Sequence, residues 1–108
     1  MISEAQIQAV AERLRRAAPD ATIILFGSHA RGDAREGSDL DILVVEPVVE
    51  AEHEEIVRLR DEIRDLRVPT DVLVVSADVY EEWADESGTV IHEAARDGRV
   101  LYAPAEAR

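Results

Sequence analysis

The chain has 108 residues, enough for one domain with a modest core and too few for a second module. Its formal charge of −12 argues against a free-standing nucleic-acid binder, because phosphate backbones are held by basic patches. With 46% hydrophobic and 33% charged residues, the composition is typical of a soluble globular protein. We therefore expect a single domain over residues 1–108 whose partner is a protein or a small nucleotide.

The absence of cysteine excludes disulfides, zinc–thiolate sites and thiol catalysis. Nothing resembles a signal peptide, and the longest apolar runs are far below the roughly 20 residues that span a bilayer. The sequence therefore predicts a cytoplasmic protein that makes no contact with membranes.

The first half of the chain predicts a helix, a strand and a short second helix. Ser3 and Gln6 have the spacing of a capping box, and apolar residues then recur at helical spacing over residues 4–18. The β-branched apolar run Thr22–Phe26 predicts a buried strand. Residues 28–32 are predicted to begin a short helix.

A second strand is predicted at residues 39–45, because Pro47 prevents it from continuing further. A third strand is predicted at residues 70–75. Between them, apolar residues at helical spacing predict a helix within residues 48–66. Together these elements indicate a small sheet of three to four strands.

The last third predicts two helices and a short edge strand. Asp78 is predicted to cap a helix whose aromatic residues, Tyr80 and Trp83, pack or meet a partner. A final helix is predicted at about residues 89–97, and residues 100–102 are expected to add an edge strand. The fold class is therefore α/β (α+β), with about four helices around the sheet.

The motif that carries chemistry is Gly27-Ser28, ten intervening residues, and then Asp39-Leu40-Asp41. Alternate residues of a strand share a face, so we expect Asp39 and Asp41 to point the same way with Cα atoms about 6–7 Å apart. Carboxylates at that separation converge on one cation or bridge two metals. The structural alternative is an exposed strand face that binds nothing, but two like charges on an apolar strand repel unless a cation intervenes.

The stretch from residue 25 to residue 45 resembles the signature of the minimal nucleotidyltransferases (MNT) of the DNA polymerase β superfamily. Arg31 and Ser38 match the longer form of that pattern. The resemblance implies a polymerase β-type fold with a small mixed sheet, and it extends over most of the chain.

The resemblance also implies a third acid, which falls on Asp71. Asp39, Asp41 and Asp71 are then the metal ligands and catalytic residues, and Asp71 also takes a proton from the attacking hydroxyl. The alternative for Asp71 is an ordinary aspartate at the start of a strand.

A nucleotide-binding set accompanies these acids, with Gly27 leaving room for a phosphate and Ser28 holding phosphate oxygens. A plain strand-to-helix turn would use the same two residue types. Arg31 and Ser38 complete the set; the alternative for Arg31 is a surface ion pair, and Arg35 is a weaker candidate for the phosphate charge.

The implied activity is magnesium-dependent transfer of AMP from ATP, with two Mg²⁺ ions at the site and pyrophosphate released. Small members of the family often act as antitoxins beside a small all-helical HEPN-type protein. By that resemblance the acceptor is a tyrosine hydroxyl on this HEPN-type RNase toxin, and no nucleic acid is bound directly.

Two other functions remain open on the sequence. The protein could neutralise its partner by binding alone, with an idle metal site, although Ser28, Asp39, Asp41 and Asp71 are all present. It could instead modify a small molecule, as aminoglycoside-modifying relatives do, but those enzymes carry extra substrate-binding sequence.

Overall fold

The computed structural model describes residues 1–104, which form five α-helices and four strands. The helices are α1 (Glu4–Ala17), α2 (Ser28–Arg31), α3 (Glu52–Ile63), α4 (Ala77–Trp83) and α5 (Val90–Asp97), and a 3₁₀ turn at Arg64–Leu66 follows α3. The strands are β1 (Thr22–Phe26), β2 (Leu40–Glu46), β3 (Thr70–Ser76) and β4 (Arg99–Tyr102), and the order along the chain is α1-β1-α2-β2-α3-β3-α4-α5-β4. No helix within residues 1–104 has the length and apolar character needed to cross a membrane.

The four strands form one mixed sheet, which confirms the predicted fold class, and their order is β3-β2-β1-β4. β1 is antiparallel to both of its neighbours, whereas β2 and β3 are parallel. The end of β1 therefore lies at the same end of the sheet as the starts of β2 and β3, and the strand predicted at residues 100–102 forms the edge next to β1.

Helices cover both faces of the sheet. On one face α1 and α3 bury Leu14 and Leu59 against strand residues such as Ile42. On the other face Ala94 of α5 packs against Phe26 and neighbouring apolar strand residues, and Tyr80 of α4 packs there too, as expected. Burial from both sides explains why the central strands appear in the sequence as nearly continuous apolar runs.

Local capping agrees with prediction at one helix and differs at another. The Ser3 hydroxyl accepts from the Gln6 N–H, and the Gln6 side chain accepts from the Ser3 N–H, which confirms the capping box. The predicted cap at Asp78 is wrong, because β3 continues to Ser76 and its hydroxyl caps α4 by accepting from the Val79 N–H at 3.3 Å. Asp78 lies within the first turn of α4 instead.

Candidate active site

Two of the predicted acids lie side by side on neighbouring strands. Asp41 of β2 and Asp71 of β3 are direct partners in the parallel register, one position beyond the first pair of the ladder. Side chains alternate along β2, so Asp41 lies on the same face of the sheet as Leu43, which packs with Ala94 of α5. The structure therefore brings Asp41 and Asp71 together at one end of the sheet, on the face that carries α4 and α5.

Asp39 does not share the strand with Asp41 as the sequence predicted. β2 begins at Leu40, whose N–H donates to the carbonyl oxygen of Pro69 at 2.9 Å. Continuing the register by one residue would pair Asp39 with Pro69, which has no N–H for a ladder hydrogen bond. Asp39 therefore lies exposed in the loop before β2, although its charge still acts on Asp41.

Gly27 follows β1 and lies directly against Asp41. Phe26, the last residue of β1, is the antiparallel partner of Asp41, so the turn after it comes beside the acid. Gly27 has φ +74°, and a Cβ placed on it would come within 2.2 Å of Asp41 Oδ2. The space above Gly27, expected to admit a phosphate, thus holds the carboxylate of Asp41.

Ser28 is the first residue of the short helix α2 and is half-buried next to this turn. Its carbonyl oxygen accepts from the N–H groups of Gly32 and Asp33, at 3.0 and 3.1 Å. Its hydroxyl makes no hydrogen bond to any of residues 1–104, which leaves it available to a ligand. The role in phosphate binding stays a prediction.

The loop between α2 and β2 is held by contacts around Ser38. The Ser38 hydroxyl accepts from the Arg35 N–H at 3.0 Å, and the Ser38 carbonyl oxygen lies 3.1 Å from Nε2 of His29. Because a carbonyl oxygen only accepts, this ring nitrogen of His29 is the protonated one. Ser38 therefore shapes the loop that carries Asp39, a role distinct from its predicted contact with the nucleotide.

Arg31 lies at the end of α2 and is held by two acids. Its guanidinium contacts Glu93 of α5 at 2.9 Å and Asp33 at 3.3 Å. The ion pair that the sequence left open as an alternative is therefore present. Glu93 was missed by the sequence reasoning, because nothing near it in the chain marks it and only the packing of α5 brings it to the site.

The acids at this end of the sheet repel one another. Burial, followed by the charges of Asp71, Glu93 and Asp39, raises the pKa of Asp41, while His29 acts in the opposite direction. An excess of negative charge on hard oxygen ligands is the chemistry that a divalent cation such as Mg²⁺ satisfies. Among residues 1–104, however, no three His, Cys, Asp or Glu side chains are grouped so that they could hold a metal ion.

Comparison with known proteins identifies the class. Residues 7–97 match the nucleotidyltransferase domain family. The chain therefore belongs to that family, and the protein is a nucleotidyltransferase. No curated protein matches the sequence.

Solved structures with the same fold extend the comparison. A complex of the tri-AMPylated Shewanella oneidensis HEPN toxin with MNT antitoxin matches with a TM-score of 0.62 and 16% identity, over 98% of this chain and 76% of that one. A toxin–antitoxin complex with AMP-PNP matches with a TM-score of 0.60 and 19% identity, over 93% and 76%. A Sulfolobus solfataricus protein proposed to be a nucleotidyltransferase matches with a TM-score of 0.58 and 19% identity, over 92% and 78%. The chain thus has the fold found in structures of MNT antitoxins with their toxins.

Proposed function

We propose that this protein is a magnesium-dependent adenylyltransferase that moves AMP from ATP to a tyrosine hydroxyl of a HEPN-type RNase toxin and so acts as its antitoxin. The observation that carries the proposal is the paired register of Asp41 and Asp71 beside the Gly27-Ser28 turn. Family membership supports nucleotidyl transfer, and the AMPylated toxin in one structure of the same fold supports the acceptor.

Asp41 and Asp71 would hold the metal in this scheme, and Asp39 in the adjoining loop would add its negative charge. Their oxygen ligands and mutual repulsion fit Mg²⁺, and one or two carboxylates plus substrate phosphates are its usual ligands. Bound there, Mg²⁺ would neutralise phosphate charge and lower the pKa of the attacking hydroxyl, with one or two ions taking part.

The protein's own residues then position the reactants. Ser28 would donate its free hydroxyl to the phosphates, and Arg31 would contribute positive charge after leaving Glu93. The acceptor oxygen forms a bond to the α-phosphorus, the bond from that phosphorus to the bridging oxygen breaks, and pyrophosphate leaves. An oxygen of Asp71, exposed at the end of the sheet, would take the proton from the acceptor hydroxyl.

The test uses ATP labelled at the α-phosphate, Mg²⁺, the protein and a candidate HEPN-type helical partner. We expect label on the partner and none when the label is at the γ-phosphate, and we expect tyrosine-to-phenylalanine substitution in the partner to abolish it. Asp71→Asn and Asp41→Asn should lose transfer. If no label moves and both variants still neutralise the toxin, the protein acts by binding alone; if label reaches only small acceptors, the protein substrate is wrong.

A further inference from the structure

An apolar groove lies on the same side of the sheet as the candidate site, between β3, α4 and α5. Its volume is about 290 Å³ and its lining is mostly aliphatic and aromatic. Four of the large apolar side chains that line it are exposed, namely Leu73, Val79, Trp83 and Val90. Large apolar groups gathered in one groove mark an interaction surface more strongly than the same groups scattered singly.

The chain segment that supplies most of the groove lining is acidic, and the lining itself includes Glu52. Residues 68–91 contain six acids and neither lysine, arginine nor histidine; the acids are Asp71, Asp78, Glu81, Glu82, Asp85 and Glu86. None of the six makes an ion pair with any of residues 1–104, and all are exposed. Most arginines elsewhere in the described chain do pair with acids, as Arg13 does with Asp65 and Arg99 with Glu4. Exposed acids without ion pairs therefore adjoin the apolar lining residues along the chain, and we call these acids the acidic rim.

The groove begins next to the candidate catalytic acids. Leu73 is two residues beyond Asp71 on β3, so the two side chains share a face and their Cα atoms are about 6–7 Å apart. A chain segment bound over Leu73 would therefore reach the acids with its nearest residues.

We propose that this groove docks a partner segment whose apolar residues are flanked by arginine or lysine, and that docking delivers the acceptor hydroxyl to Asp71. The apolar floor supplies affinity, and the acidic rim selects a basic flank and rejects an acidic one. A second copy of this chain is a poor occupant, since two acidic rims would face each other. Delivery of the acceptor rests on the proposed function, whereas docking does not.

Trp83 provides the measurement, because it is the single tryptophan and it lines the groove. The probe is a synthetic helical peptide of about 12 residues with leucines at i, i+3, i+4 and i+7, arginines elsewhere, and no aromatic residue. We expect its binding to shift Trp83 emission to shorter wavelength and to protect Trp83 from acrylamide. The same peptide with glutamate in place of arginine should not bind.

Substitutions locate the binding site. Val90→Ser and Val79→Ser should each weaken peptide binding by about tenfold, the loss expected for removing buried methyl groups. Val100→Ser is the matched control, because Val100 is exposed on β4 at the opposite edge of the sheet. Equal affinity for all three variants and the wild type, with circular dichroism showing them folded, would overturn the proposal. A concentration-dependent dimer that Val90→Ser dissociates would also overturn it, by assigning the groove to a second copy.

The Asp41→Asn variant distinguishes docking from catalysis, because it should bind the peptide with wild-type affinity and transfer no AMP. Val90→Ser should raise the KM for the helical partner about tenfold and leave the KM for ATP unchanged. If peptide binding behaves as expected and no AMP moves in the wild type, the proposed function fails and docking stands. If AMP moves and Val90→Ser changes neither peptide affinity nor the partner's KM, docking fails and the proposed function stands.

Discussion

The Cα of Gly27 lies against the carboxylate of Asp41, so closely that no Cβ fits between them. A Cβ on Gly27 would come within 2.2 Å of Oδ2 and 3.1 Å of the carboxylate carbon. The antiparallel pairing of Phe26 with Asp41 brings these two residues together. Glycine is therefore required here by an acid of the site as well as by the positive φ of the turn.

Substituting Gly27 with alanine should damage catalysis out of proportion to stability. The new methyl group displaces the Asp41 carboxylate, and a displacement of about 1 Å in a catalytic group costs up to about 10²-fold in rate. Gly37→Ala is the control, since Gly37 has a similar φ of +86° and open space where the Cβ would go. Both variants should also lose unfolding free energy to backbone strain, on the order of 1–3 kcal/mol each, because both glycines have positive φ. AMP transfer measured alongside thermal unfolding tests this, and equal transfer rates in the two variants would count against it.

Replacing Asp41 by asparagine should stabilise the protein in the absence of metal. Burial and the neighbouring acids raise the pKa of Asp41, so the folded protein disfavours the ionised carboxylate. The contribution of Asp41 to the free energy of unfolding therefore falls as the pH rises above 3.8, the ordinary pKa of an aspartate. At pH 7 the neutral amide removes that repulsion, and Tm should rise by a few degrees. Mg²⁺ should raise the Tm of the wild type and have a smaller effect on Asp41→Asn. A lower Tm for the variant without Mg²⁺ would show that repulsion is not the dominant effect.

Strand β1 and the start of helix α1 were predicted correctly, because each depends on residues that are close together in the sequence. Thr22–Phe26 is a run of apolar, largely β-branched residues, and β1 has those bounds. The Ser3 and Gln6 capping box acts within four residues, so helix α1 begins where predicted. We also expected Asp71 to lie near Asp41, but only because the family resemblance implied a third acid at that position.

Features that depend on tertiary packing were not predictable in the same way. Asp39 falls outside β2 because its partner in the register would be Pro69, which precedes β3 and has no N–H to donate, and only the parallel register reveals this. Glu93 reaches Arg31 across 62 residues of sequence, through the packing of α5 on the sheet. Ser76 replaces Asp78 as a helix cap because β3 runs directly into α4, and both residue types are good caps on the sequence alone.

Arg31 forms ion pairs with Glu93 and Asp33, and we expect its positive charge to contribute to ATP binding as well. Arg31→Met should raise the KM for ATP about tenfold, the effect of losing one charge-assisted hydrogen bond of about 1.4 kcal/mol. Arg35→Met removes the same charge from the adjoining loop, where the Arg35 side chain forms no ion pair with any of residues 1–104. Steady-state kinetics should show a clear difference between the two variants. Equal KM values would mean that only the general charge of this region matters.

A second pair of acids, remote from the site, links the end of β2 to α3. Arg58 of α3 donates to both carboxylate oxygens of Glu55, at 2.8 and 2.7 Å, and to the carbonyl oxygen of Ala17 at 2.9 Å. Oε2 of Glu46 is buried and has no donor among residues 1–104. Two ionised carboxylates cannot hydrogen-bond to each other, because both only accept. When Glu46 is protonated, its O–H group can donate to the carboxylate of Glu55. Burial, with the hydrogen bond to Glu55, raises the pKa of Glu46 to about 7, while Arg58 lowers that of Glu55 to about 2.

Glu46 should make stability fall as the pH rises through neutrality. The folded protein keeps a proton on Glu46 that the unfolded chain releases near pH 4.5, so the stability present below pH 4.5 is lost as pH rises toward about 7. Glu46→Gln supplies a permanent donor to Glu55 without the charge, and its Tm should therefore decline less than that of the wild type between pH 5 and pH 8. Glu50→Gln makes the same chemical change at an exposed residue nearby and should follow the wild type. Thermal unfolding at several pH values compares the slopes, and parallel curves for Glu46→Gln and the wild type would refute the shared proton.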